Sequence, residues 1–285
     1  MDGPVIMLPP HPLVSAEWLQ AKISAPDVRV VDATWIPPFL ETGRTGEMGY
    51  QKAHIPGAVF FDIDDITDPD TSLSHMLPNA TRFSSKVRKL GLGDVHHIVV
   101  YDNNDFFAAA RVWWMFRAMG HRDVSVLDGG LRAWLDAGGT TDNLPPVMVE
   151  RHYTARMRSD LIKTKDQMRV AIDKKTIILD ARPSGRFEGR APEPRAGLRS
   201  GHIPGSQNIP ASDLIQPDGK LESPDTLHAI LGDYAGEPAI ATCGSGVSAA
   251  IIALARAVLG DDNTAIYDGS WSEWAADPDA RIERT

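Results

Sequence analysis

Three stretches of this 285-residue chain occur twice, in one order and at nearly one spacing. Val30-Val-Asp-Ala33 returns as Leu179-Asp-Ala181, placing Asp32 148 residues before Asp180. His54-Ile-Pro-Gly57 returns as His202-Ile-Pro-Gly205 at that same offset of 148. Leu127-Asp-Gly-Gly-Leu-Arg-Ala-Trp134 returns as Tyr267-Asp-Gly-Ser-Trp-Ser-Glu-Trp274, offset by 140. Landmarks repeated in order mean a duplicated domain. The period is too long for a solenoid of small repeats, and the chain is long enough for two units, each with its own core.

Within each copy, short β-branched runs alternate with helical patterns. Val28 to Asp32, Ile98 to Asp102 and Val124 to Leu127 read as strands of the first copy; Thr176 to Asp180, Pro238 to Thr242 and Ala265 to Tyr267 as strands of the second. Thr164 and Gln167 fit a capping box, and Val247 to Leu259 reads as a helix, apolar nearly all round, ending at Gly260. The expected fold is α/β, two tandem domains, each a parallel sheet flanked by helices. Gly and Pro break the periodicity between about Gly138 and Asp160. The expected division is therefore 1–143 for the first domain, 144–159 for a linker and 160–285 for the second.

The chain has a single cysteine, Cys243, which excludes an internal disulfide, and no Cys/His spacing resembles a zinc site. It lies in Pro238-Ala-Ile-Ala-Thr-Cys-Gly-Ser-Gly-Val-Ser-Ala249: a strand, a glycine-rich turn, then a helix N-terminus. Unpaired amides and the positive end of the helix dipole favour an anion there, and the thiolate is the form of cysteine that attacks. Superposing the repeats puts Asp102 where the second copy has Cys243, and Asn103-Asn-Asp105 where it has Gly-Ser-Gly. The first copy is thus expected to be non-catalytic, its loop lacking the glycines that turn amides inward. A net charge of -9 argues against nucleic acid as a partner. Met1 to Pro10 has no basic stretch leading into an apolar core, and no run approaches 18 apolar residues, so a cytoplasmic protein with no membrane partner is expected.

The loop Cys243-Gly-Ser-Gly-Val-Ser248 resembles the active loop of the tandem rhodanese-like sulfurtransferases, most of all the branch that uses 3-mercaptopyruvate, with Ser248 where threonine is usual. Other landmarks of the resemblance are Phe60-Phe-Asp62, Ala110-Arg-Val-Trp-Trp-Met-Phe116 and both His-Ile-Pro-Gly motifs. It implies a Cys243 persulfide as intermediate, with Gly244, Ser245, Gly246, Val247 and Ser248 forming the substrate loop. It implies that Arg186 and Arg195 grip the carboxylate and keto oxygen of 3-mercaptopyruvate; Arg182, Arg190 and Arg199 lie close enough to compete for that role. It further implies that Ser245 takes part in catalysis, with a histidine and an acid from the first domain. By that match the histidine is His54, while the acidic position upstream holds Thr45. No metal or organic cofactor is expected. The implied partners are a sulfur donor, 3-mercaptopyruvate or thiosulfate, and an acceptor that is a thiol such as thioredoxin, or cyanide in vitro.

Thiosulfate-using members carry basic residues directly after the cysteine, where this chain has Gly244 and Ser245. Cysteine-dependent phosphatases share the layout but need an arginine at the sixth position after the cysteine, which here is Ala249. A non-catalytic sulfur-relay module is the remaining alternative.

Overall fold

Runs of β-branched and small apolar residues, cut short by glycine-rich or polar turns, form ten strands among the described residues. The first five are β1 (Leu13–Val14), β2 (Val28–Asp32), β3 (Val59–Phe60), β4 (His97–Tyr101) and β5 (Val124–Leu127). The second five are β6 (Ile162–Lys163), β7 (Ile177–Asp180), β8 (Gln207–Asn208), β9 (Ala239–Thr242) and β10 (Ala265–Tyr267). The computed structural model describes residues 11–105 and 107–285; the reading of Met1 to Pro10 lies outside them. Each set of five is a parallel sheet, ordered β1-β5-β4-β2-β3 and β6-β10-β9-β7-β8. Central strands such as β4 and β9 expose no residue, which is why they read as continuous apolar runs rather than alternating ones.

The duplication holds at the level of single hydrogen bonds. Ala33 N donates to the Tyr101 carbonyl at 2.8 Å, and Ala181 N to the Thr242 carbonyl at 2.9 Å. Leu131 N donates to the Asp102 carbonyl and Trp271 N to the Cys243 carbonyl, both at 3.0 Å. Asp102 and Cys243 are thus equivalent in space as well as in sequence. The capping box forms at Thr164 and Gln167 as expected. The helix read from Val247 begins at Ala249, because Val247 and Ser248 belong to the turn, and Gly260 follows its cap at φ +94°.

Helices Ala109–Ala118 and Ala249–Val258 pack against each other across the domain boundary. Every residue in them except Arg117 and Val258 is buried. A helix apolar all round needs cover on every side, and the sheet below and the opposing helix supply it. One core consequently runs through both domains, from Val31 and Phe61 through Trp113 and Trp114 to Ala241 and Ile252. Trp271 and Trp274 fill a smaller core on the other face of the second sheet. No helix among the described residues is long and apolar enough to cross a membrane.

Candidate active site

Beyond β9 the chain runs through Cys243 to Ser248 before the helix starts. Its turn is pinned from the β10 side. The Cys243 amide donates to Ser270 Oγ at 3.3 Å, and the Gly244 carbonyl accepts from Ser272 N at 2.9 Å and Ser272 Oγ at 2.7 Å. Gly246 sits at φ +79°, where a Cβ would lie 3.0 Å from the Asp268 carbonyl oxygen. Among the described residues, no protein acceptor takes the amides of residues 244 to 248. These donors at a helix N-terminus are open to an anion.

Cys243 is 2% exposed and faces a cavity of about 590 Å³. The cavity sits at the carboxyl ends of β2, β4, β7 and β9, the edge at which α/β folds bind ligands. Gly244, Ser245, Val247 and Ser248 line it with the cysteine. Gly246 does not, since its carbonyl turns away to accept from Arg111 Nη1 at 3.2 Å. Trp35 and Phe107, stacked at 5.7 Å with rings 6° apart, form a wall from the first domain.

Two arginines converge over Gly244: a Cβ there would lie 3.2 Å from Arg186 Nη2 and 3.7 Å from Arg195 Nη1. Buried Glu193 holds Arg186 by its Nε at 3.1 Å and Arg182 by its Nη1 at 2.8 Å. Arg195 makes no hydrogen bond to protein among the described residues. Burial pulls its guanidinium below the ordinary value, and the nearby Cys243 pushes it back up. Of the competing arginines, Arg182 is consumed by an ion pair to Asp180 at 2.7 Å and by stacking 4.2 Å over Trp271. Arg190 pairs with Glu188 on the surface, and Arg199 donates to the carbonyls of Ala275 and Asp277. Of these five arginines, Arg186 and Arg195 are the two that keep donors free for the cavity among the described residues.

Ser245 Oγ lies 3.1 Å from His75 Nδ1, and His75 Nε2 lies 3.0 Å from Asp64 Oδ1. Asp64 Oδ2 accepts from Trp35 Nε1 at 2.7 Å. Because the carboxylate only accepts, neutral His75 carries its proton on Nε2, and Nδ1 accepts the serine hydroxyl. Burial raises Asp64, but the hydrogen bonds and charge of His75, the Trp35 bond and the Arg195 charge outweigh it, leaving the carboxyl below its ordinary value.

The histidine beside Ser245 is therefore not His54, and the expectation from the resemblance is corrected. His54 stacks on Tyr50 at 4.1 Å and contacts the Tyr50 carbonyl at 2.7 Å. Its repeat counterpart His202 stacks on Phe187 at 3.9 Å and contacts the Phe187 carbonyl at 2.8 Å. Both His-Ile-Pro-Gly histidines do one scaffold job, once per copy. Thr45 caps the helix Gly46–Lys52 through Met48 N at 3.1 Å and supplies no acid.

The model of the rhodanese-like domain matches residues 15–137 and again 164–277. The chain belongs to the rhodanese-like domain family. It is 40% identical to a mouse 3-mercaptopyruvate sulfurtransferase, over 92% of this chain and 91% of the relative. It is 42% identical to a rat thiosulfate sulfurtransferase, over 95% of each. Among solved structures, an Escherichia coli crystal structure described under 3-mercaptopyruvate sulfotransferases superposes with a TM-score of 0.82 at 36% identity, covering 92% of this chain and 99% of that one. Relatives named for either donor stand at nearly the same identity, so overall likeness does not choose between them.

Asp64 and His75 are not legible in the sequence pattern because they have no repeat counterpart. They lie in the long connection after β3; matching the helix caps Asn79 and Ser223 places Gly219, at φ +85°, where the first copy has His75. The available signal was an acid and an imidazole in one loop at the carboxyl end of a first-copy strand.

Proposed function

We propose that this rhodanese-like chain moves sulfur from 3-mercaptopyruvate to a thiol acceptor through a persulfide on Cys243. It is a sulfurtransferase; the proposal concerns its donor, its residues and its acceptor. The observation that carries the reading is the Ser245–His75–Asp64 chain beside the cysteine. A keto-acid donor leaves as an enolate that needs a proton on carbon, whereas thiosulfate leaves as sulfite and needs no such relay.

The steps follow from the chemistry. The Cys243 thiolate attacks the donor's sulfur, the S–S bond forms, and the C–S bond breaks with its electron pair passing into the pyruvate enolate. Arg186 and Arg195 hold the carboxylate and the developing oxyanion with a planar fork of donors suited to an α-keto acid. The proton of the donor's thiol passes by way of His75 and Ser245 to the enolate carbon, so that pyruvate departs and Cys243 is left as the persulfide anion. The open amides of residues 244 to 248 surround the persulfide. An acceptor thiolate then attacks the outer sulfur and regenerates Cys243, completing a two-stage exchange. A small dithiol protein of the thioredoxin kind fits the acceptor role, and nothing in the scheme calls for a metal or organic cofactor.

Steady-state transfer with 3-mercaptopyruvate and thiosulfate side by side tests the proposal. A kcat/KM ratio favouring mercaptopyruvate, with stoichiometric pyruvate, is expected. The opposite ratio would overturn the donor while keeping Cys243, and no turnover with either would leave a relay module.

A further inference from the structure

The boundary between the domains is nearly symmetric, and it is the departure from symmetry that bears on the site. In each copy the Asp-Gly after the last strand reaches across to the other domain. Asp128 Oδ1 accepts from Leu221 N at 3.0 Å, and Asp268 Oδ2 accepts from Leu77 N at 2.6 Å. On the Cys243 side alone an arginine joins this contact. Arg111, fully buried in the helix Ala109–Ala118, is the ninth residue after Asp102; the ninth after Cys243 is buried Ile252.

The Arg111 guanidinium donates through Nη2 to the His75 carbonyl at 2.5 Å and through Nη1 to the Gly246 carbonyl at 3.2 Å. Its Nη2 also lies 2.8 Å from Asp268 Oδ1, and the group stacks 4.5 Å over Trp114. One rigid fork therefore touches the backbone of His75 from the first domain and the cysteine loop of the second. His75 itself sits at φ +65°, in the left-handed region that histidine enters more readily than most residues but still at some cost. The residues on either side of that strain are the ones held: the His75 carbonyl by Arg111 and the Leu77 amide by Asp268.

We infer that Arg111, paired with Asp268, is a positioning residue that sets the His75 imidazole against Ser245 across the domain boundary. The inference rests on the relay reading above. A lysine cannot replace the fork, since a single ammonium on a flexible stem does not span two carbonyls in fixed geometry. Arg111 touches neither reacting atom, so its loss acts through the placement of His75, and misplacement of this kind costs about tenfold to a hundredfold in rate.

The test is a cycle of Arg111→Met, His75→Ala and the double variant, assayed with 3-mercaptopyruvate. Arg111→Met is expected to lower kcat about tenfold or more with KM nearly unchanged, and to add nothing in the His75→Ala background. Arg111→Lys should fall between Arg111→Met and the parent. Losses that multiply in the double variant, or a loss confined to KM, would overturn the inference while leaving the relay standing. If His75→Ala alone keeps full mercaptopyruvate turnover, the relay reading itself fails. Should Arg111→Met not fold, Asp268→Asn, which preserves the acceptor for Leu77 N, takes its place in the cycle. A kcat loss that vanishes in the His75→Ala background then supports the inference, and losses that multiply overturn it.

Discussion

The two loops that follow β4 and β9 began as copies and now solve one electrostatic problem in opposite ways. In the first copy the Asp102 carboxylate turns back into its own loop and accepts from the amides of Asn104, Ala108 and Ala109 at 3.2, 3.0 and 2.8 Å. In the second copy the cysteine makes no such demand: the amides of residues 244 to 248 have no protein acceptor among the described residues, and Ala250 N turns to the Val247 carbonyl at 3.1 Å. The turn survives in both: Asp105 holds φ +61° at the position where Gly246 holds +79°. The expectation that losing the glycines would lose the inward turn is therefore corrected, because aspartate is among the few residues that tolerate a left-handed conformation. An anion site supplied with a built-in anion no longer binds a substrate.

Breaking the second loop at its nucleophile should have the largest effect. Cys243→Ser is expected to reduce sulfur transfer to background while circular dichroism stays unchanged, whereas Asp102→Asn should leave transfer intact. Retained turnover in Cys243→Ser would refute the thiolate mechanism. Next comes the relay that only the second loop contacts. Ser245→Ala should lower kcat with mercaptopyruvate about a hundredfold, the usual worth of positioned proton transfer, and should spare thiosulfate; equal losses with both donors would show that the hydroxyl merely holds the loop.

Arg195→Ala follows, with an expected loss in kcat/KM for mercaptopyruvate of about tenfold to a hundredfold, the worth of one charge-assisted hydrogen bond. The thiosulfate value measured on the same preparation shows whether the arginine reads the keto acid or only the charge. Gly246→Ala should cost about 1–3 kcal/mol of stability from its left-handed backbone, visible as a lowered denaturation midpoint; an unchanged midpoint would mean the loop can turn without glycine.

The smallest effect belongs to the first loop. Burial pushes Asp102 up to about 6, against an ordinary value of 3.8 and despite its amide hydrogen bonds. The fold thus favours its neutral form more than the unfolded chain does, although near neutral pH it is the anion, so its contribution to stability is full below about pH 4 and is lost as pH rises through about 6. Melting curves of the parent should therefore lose ground to those of Asp102→Asn as pH rises through that range, and run parallel to them above about pH 7. A difference that stays constant with pH would remove the carboxyl as the cause.

Much of this was legible in one dimension. The repeat reports the duplicated sheet because both copies must bury the same strand faces, and β9 with its glycine-rich turn marks where the cavity-facing cysteine sits. Arg186 and Arg195 were readable as a pair, but not as the pair with free donors: Arg182 has the same chemistry and is removed from contention only by Asp180, Glu193 and Trp271 closing around it. The partner of Ser245 was misread because the resemblance was carried onto His54, whose repetition as His202 marks scaffold work in both copies, and not onto the unrepeated His75.

The sequence by itself determined the fold class, the duplication, the place of the single cysteine and the neutral character of its loop. These depend on short-range pattern: alternation of strand and helix, and the residues adjacent to Cys243. The tertiary structure decided which arginines face the cavity, which histidine meets Ser245, and what Arg111 joins. Ser245 and His75 are 170 residues apart, and no local rule connects them. Burying the helices Ala109–Ala118 and Ala249–Val258 against each other brings the two loops together, and with them a site that neither copy contains alone.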